Sequence, residues 1–151
     1  MPYCSEATSR ELLRRKGIDV TPADEPRHPS IGKHDFAVAT VTLGRDARSD
    51  TTIRIEILQQ SAQRLIPLSE YEADTMVTEL HAKGALHAVE HVKRMLARVL
   101  VQLSEVFAER QLVSMVISEL ILWDGGYRVD GAQIESLQPI HLAESLPNNA
   151  L

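Results

Sequence analysis

Aromatic residues are only 4% of this 151-residue chain, and cysteine occurs once, at Cys4. A single cysteine excludes an internal disulfide framework and a zinc ribbon built on paired thiolates. With so few aromatic rings, any core has to be aliphatic. No apolar run approaches the length of a membrane span. The opening, MPYCSEATSRELLRRKG, has no apolar stretch of signal-peptide length, so a cytoplasmic location, in the producing cell or in a host cell, is expected. An excess of basic charge is missing too. The net charge is −5, which argues against a general nucleic-acid binder. The local cluster Arg14, Arg15 and Lys16 reads as a solvated helix end. No P-loop, G-x-G-x-x-G, nucleophile elbow or plausible Ser/His/Asp set is present.

What is there is ordinary for a soluble globular protein: 44% hydrophobic and 25% charged residues. The length suits a single domain over residues 1–151. Residues 5–16 read as a helix closed by Gly17. Pro22, Pro26 and Pro29 make residues 18–35 an arm or linker. Phe36 to Leu43 and Thr51 to Leu58 read as two strands of a hairpin, with Ile53, Ile55 and Ile57 facing one way. Ser69 and Glu72 form a capping box at a helix start, with Leu68 placed to staple onto Ala73. The helical pattern runs on to about Gln111, with a bend or break at Gly84 that divides it into roughly 69–83 and 85–110. A C-terminal β unit follows: Glu119 to Trp123, a turn at Asp124-Gly125-Gly126, Tyr127 to Val129, a tight pair at Asp130-Gly131, and Ile134 to Leu137. Val113 to Ile117 fits helix or strand equally. Residues 146–151 read as a flexible tail. The fold class is therefore α+β: an N-terminal helix, a β-hairpin, a long helix and a C-terminal β unit.

The strongest pattern is an apolar seam. Ala85, Val89, Val92, Leu96, Val99, Leu103 and Val106 alternate spacings of four and three, as in a helix packed along its length against another helix. Two short hairpins look too small to cover it. A homo-oligomer joined through a coiled-coil-like helix is the expectation that follows.

The one catalytic-looking motif lies on the same segment. His87, Glu90 and His91 form H-x-x-E-H, the inverted zinc-protease signature, in which two histidines hold Zn²⁺ and the glutamate acts as base. The stretch from Lys83 to His91 resembles the zinc helix of S-ribosylhomocysteine lyases. In that family a downstream cysteine completes the metal site, and none follows the motif here. Glu119 or Glu135 could stand in as a distant third ligand. At about 100° per residue, His87, His91, Arg94, Arg98 and Glu105 share a polar face opposite the seam, a poor setting for a catalytic metal. Met1-Pro2-Tyr3-Cys4 resembles the C-P-Y-C turn of glutaredoxins, with Met1 in place of the nucleophilic cysteine. Asp124-Gly125-Gly126 and Asp130-Gly131 lack calcium-loop spacing and read as turns.

Two functions follow. The first is a small acidic, non-enzymatic protein that acts by binding another protein, as accessory, inhibitory or assembly factors do, with no cofactor and no metal. The second is a small zinc-dependent hydrolase or lyase using His87, His91 and Glu90.

Overall fold

A computed structural model describes residues 5–20, 37–88 and 90–136. The described residues form one small α+β domain of three helices and a six-stranded antiparallel sheet. The elements are α1 (Glu6–Arg15), β1 (Ala37–Arg45), β2 (Thr51–Ile57), β3 (Gln60–Leu65), α2 (Glu70–Ala82), α3 (Glu90–Glu109), β4 (Ser114–Trp123), β5 (Gly126–Val129) and β6 (Ala132–Glu135). The strand order is β3-β2-β1-β4-β5, and β6 pairs with the other end of β4.

Local chemistry accounts for most of these boundaries. Ser5 caps α1 by accepting the Thr8 N–H, and Gly17, at φ +85°, closes it by letting the Ile18 N–H reach back to the Leu13 carbonyl. The capping box of Ser69 and Glu72 starts α2 as its spacing predicts. Ile53, Ile55 and Ile57 are all buried, as the alternation in β2 requires. Val113 to Ile117 resolves mainly as strand, because Val113 N–H bonds to the Glu135 carbonyl and the residues from Ser114 onward pair with β6.

Three expectations about the architecture need correction. β3 has no apolar alternation to announce it, since only Ala62 of Gln-Ser-Ala-Gln-Arg-Leu is buried. It forms because Leu58 and Gln59 close a two-residue hairpin with positive φ of 49° and 66°. The helix expected from residue 85 begins instead at Glu90. Gly84, at φ +79°, ends α2, and its N–H and that of Ala85 bond back to His81 and Leu80, so Ala85 lies in the connection rather than on α3. Finally, the seam is covered by its own chain. Val92, Leu96, Val99, Leu103 and Val106 are 0–3% exposed. They share one core with Met76 and Leu80 of α2 and with Leu43, Ile55, Met115 and Leu120 of the sheet. Helix α2 and the long β4 lie against α3 and supply the cover that two short hairpins lack, while β3 widens the sheet beneath α2. The coiled-coil and homo-oligomer expectations therefore lose their basis, and Val89 lies outside the described residues. Of the expected arm, Ile18 to Val20 is described, with Val20 bridging Val129. The rest of the arm and the tail at 146–151 lie outside the described residues. Among the described residues no helix is long and apolar enough to cross a membrane.

Three outcomes follow from this packing. Leu96→Ala or Leu103→Ala should lower the unfolding free energy by about 2–5 kcal/mol in urea titrations, without changing the mass in solution. Replacing Leu58 with Asn and Gln59 with Gly should raise stability by roughly 1 kcal/mol, because both positions hold a left-handed backbone that L side chains disfavour. An unchanged or lower urea midpoint would count against that reading. The third outcome concerns Glu79, which pairs with Lys83 at 2.8 Å and Arg64 at 3.0 Å. The Lys83 hydrogen bond, against a smaller opposing effect of burial and with help from Arg64, holds its carboxyl below the usual glutamate value. Its stabilising effect is present above the ordinary glutamate range and lost as pH falls through the folded-state value. Glu79→Gln should flatten that part of the acid limb in urea midpoints measured against pH.

Candidate functional site

The zinc site of the alternative reading does not assemble among the described residues. Helix α3 starts at Glu90, so His87 sits in the connection after α2 while His91 is in the first turn of α3. The two histidines do not share a helix face, which removes the geometric basis of the H-x-x-E-H reading and of the likeness to the lyase helix. His91 instead reaches the β4–β5 turn. Its Nε2 lies 2.9 Å from Asp124 Oδ1 and 3.0 Å from the Asp124 carbonyl. Glu90 faces Lys93 at 3.5 Å and Arg94 at 3.9 Å. Glu119 and Glu135 are in β4 and β6, and Glu135 accepts from Ser114. No group of three or more His, Cys, Asp or Glu side chains is placed to share a metal among the described residues. The Met1–Cys4 resemblance falls outside the described residues.

Two other regions carry more chemistry. The first is a β-bulge. β1 pairs with β4 through Ala39–Leu120 on one side and Val41–Ile117 on the other, so β4 has one extra residue at this point. Ile117 and Leu120 are both in the core, which leaves exposed Ser118 and half-buried Glu119 to the sheet's other side. The Ser118 carbonyl accepts from Thr40 Oγ1, and Ser118 N–H donates to the Gly131 carbonyl. Asp130 N–H donates to the Glu119 carbonyl, which sets two carboxyl-bearing residues side by side. Gly131, at φ +112°, is required here. A Cβ at that position would stand 2.3 Å from Ser118 Oγ. Bulges recur beside active sites because they re-aim side chains.

The second region is a cleft of about 510 Å³ between the end of α1 and the β4–β5 hairpin, lined by Arg14, Asp19, Trp123, Tyr127 and Arg128, with glycine backbone between. The Trp123 indole lies beside the turn, 3.4 Å from where a Cβ on Gly125 or on Gly126 would stand. The Tyr127 hydroxyl accepts the Asp19 N–H. Burial, with the Asp19 charge adding to it, pushes the Tyr127 phenol above its ordinary pKa against the smaller opposing effect of that hydrogen bond, so the phenol is neutral at physiological pH. Arg14 is held by Glu11 at 3.0 Å. A further groove of about 470 Å³ runs between α2 and α3, where Arg94 and Arg98 are opposed by Glu70, Asp74 and Glu105. Its mixed charge and lack of aromatic walls suit a small anionic or aromatic ligand less well than the cleft does. Sequence reading saw Arg14 only as a helix end and Trp123 and Tyr127 only as strand residues. Nothing in the local spacing marks them as neighbours, because α1 and β5 lie more than a hundred residues apart.

No family model matches the chain, and none of the curated proteins does. Solved structures do share the fold. A chain of the dinucleotide-forming acetyl-coenzyme A synthetase 1 of Ca. Korarchaeum cryptofilum, solved with coenzyme A and Mg-AMPPCP, superposes with a TM-score of 0.69 at 14% identity. That match covers 89% of this chain and 93% of the other. The apo form of the same synthetase gives 0.57 at 20% identity over 66% of this chain and 53% of that one. A protein of Pyrococcus horikoshii Ot3 gives 0.56 at 16% identity, covering 69% of this chain and 49% of that one. The chain thus spans about half the length of these latter two. At such identities the likeness is one of fold. It nonetheless overturns the expectation of a non-enzymatic accessory, inhibitory or assembly factor. That expectation rested on the lack of a recognisable catalytic set, whereas this fold occurs in chains of a coenzyme A-linked enzyme.

Proposed function

We propose that this chain is a ligand-binding domain of a coenzyme A-linked enzyme, acting on an adenosine phosphate: a nucleotide, coenzyme A or both. The observation that carries this is the fold shared along nearly the full length of the synthetase chain solved with coenzyme A and Mg-AMPPCP. The chemistry of the bulge supports it. Mg²⁺ is commonly held by one or two carboxylates, its remaining positions being filled by water and substrate phosphates. Glu119 and Asp130, neighbours through a backbone hydrogen bond, are two residues of that type, where a structural zinc or calcium site would need more protein ligands. Bound there, the cation would supply charge neutralisation for a polyphosphate, and the two residues would hold it. Thr40 and Ser118 beside them carry further hydroxyl oxygens.

Calorimetric titration of the whole chain with coenzyme A and with Mg-ATP tests the reading. At least one should bind saturably. Replacing Glu119 with Gln and Asp130 with Asn should weaken Mg-ATP by about tenfold, on the order of 1.4 kcal/mol, and leave metal-free coenzyme A binding unchanged. Absence of binding by either ligand sinks the proposal.

A further inference from the structure

We infer that the cleft between the end of α1 and the β4–β5 hairpin is a metal-independent seat for a phosphorylated adenosine, with Trp123 as the base platform and Arg14 and Arg128 as phosphate donors. This rests on the functional reading above, and it adds a location and a division of labour that the fold likeness does not contain.

The argument starts from the lining. The cleft brings together two guanidinium groups, an indole and a phenol from two stretches of chain far apart in sequence, the end of α1 and the β4–β5 hairpin. Guanidinium groups present forked donors that match phosphate oxygens, and they stay charged at any physiological pH. An indole offers a flat face on which a purine stacks, worth about 1–3 kcal/mol per base in nucleic-acid binders. The glycine turn under Trp123 lets backbone come close to the ring, within 3.4 Å of where a Cβ on Gly126 would stand. The neutral Tyr127 phenol adds a donor that carries no opposing charge. Asp19 is the single carboxylate among the lining residues, with Glu11 pairing Arg14 from within α1, whereas three carboxylates face two arginines in the α2–α3 groove. The volume, about 510 Å³, is in the range of small-molecule and cofactor sites.

No carboxylate pair lines this cleft, so nothing in it calls for a divalent cation. That separates it from the bulge, where Glu119 and Asp130 lie. The two regions then divide the ligand chemistry. Polyphosphate with its cation belongs at the bulge, and a phosphorylated adenosine bound by arginines alone belongs in the cleft. The hairpin that forms one wall is itself anchored. His91 Nε2 bridges the Asp124 side chain and carbonyl from the start of α3, so the turn is tied to the helix as well as to its own strands.

Trp123 is the only tryptophan in the chain, which makes its emission a reporter of this one place. The experiment is a fluorescence titration of the full chain in EDTA with coenzyme A, ATP and inorganic pyrophosphate, run beside calorimetry. Coenzyme A or ATP should change Trp123 emission saturably, at the same midpoint as the heat signal, and pyrophosphate should compete without reproducing the full change. The stronger of the two adenosine probes names the source. Arg128→Ala and, independently, Arg14→Gln should each weaken binding by about tenfold, with Arg128→Lys recovering part of the loss. Far-UV circular dichroism checks that the variants fold, and Arg14→Gln carries the test if Arg128→Ala does not. Calorimetric binding with unaltered Trp123 emission and with both arginine variants at wild-type affinity would overturn the cleft assignment while leaving the proposed function standing. Failure of both adenosine probes to bind under any condition, Mg²⁺ included, overturns the functional reading itself. A pyrophosphate response equal to that of the adenosine probes overturns the role given to Trp123.

Discussion

Everything in this domain depends on one burial event, the apolar face of α3 closing over the sheet. Leu96, Leu100 and Leu103 are fully inaccessible to solvent, and they share one core with strand residues as distant in sequence as Leu43 and Leu120. With so few aromatic rings, the hydrophobic driving force has to be gathered from many aliphatic contacts rather than from a few large ones. A helix of 20 residues laid over the sheet is an efficient way to gather them. Polar details follow from that placement. Ser104, on the buried side of α3, accepts the Leu68 N–H and so fixes where the chain enters α2. A buried donor without such a partner would cost about 1–3 kcal/mol, so this hydroxyl is a structural requirement rather than a surface ornament.

The surface left over is where ligand chemistry collects. With α2 and α3 on one side of the sheet, the bulge at Ser118–Glu119 opens on the other side. The cleft lies at the sheet's far edge, where Val20 bridges β5. Neither place is strongly apolar. Both are built from backbone irregularities, a bulge and a tight hairpin, with polar side chains held on regular strands beside them. Such an arrangement suits ligands made mostly of phosphate and hydroxyl groups, which are bound by directional donors more than by area.

Local signals in the sequence were reliable wherever one residue acts on its own backbone. The caps at Ser5 and Ser69, the break at Gly84 and the alternation of Ile53, Ile55 and Ile57 are all decided within a few residues, and the structure has them where the spacing puts them. The seam was read correctly as buried, and the intermolecular partner expected for it has lost its basis, because α2 and the sheet of the same chain supply its cover. The strand that patterning did not announce, β3, is polar, with one inward residue, and carries no period-two signature. It is recruited by its neighbour β2 rather than by its own composition. The H-x-x-E-H reading failed for a related reason. A five-residue motif implies a common face only if the helix is continuous, and the turn after Gly84 delays α3 until Glu90. The candidate ligand regions were illegible because their members come from α1, β4 and β5. Only the pairing of those elements makes Arg14, Trp123 and Arg128 neighbours.

The extra residue in β4 has a consequence for the whole second half of the domain. Side chains on a strand alternate with a period of two, so an insertion of one reverses the phase of everything beyond it. Before the bulge, odd-numbered Met115 and Ile117 point inward; after it, even-numbered Leu120 and Leu122 do. Ile121 is buried yet stands apart from the main core, as a residue on the reversed side should. Trp123 inherits that reversal. Its position on the cleft side, and with it the handedness of the hairpin wall, is set five residues upstream by a single unpaired step in the ladder. The bulge thus works as a phase inverter, writing the outer surface of one end of the strand in the frame that the other end uses for its core.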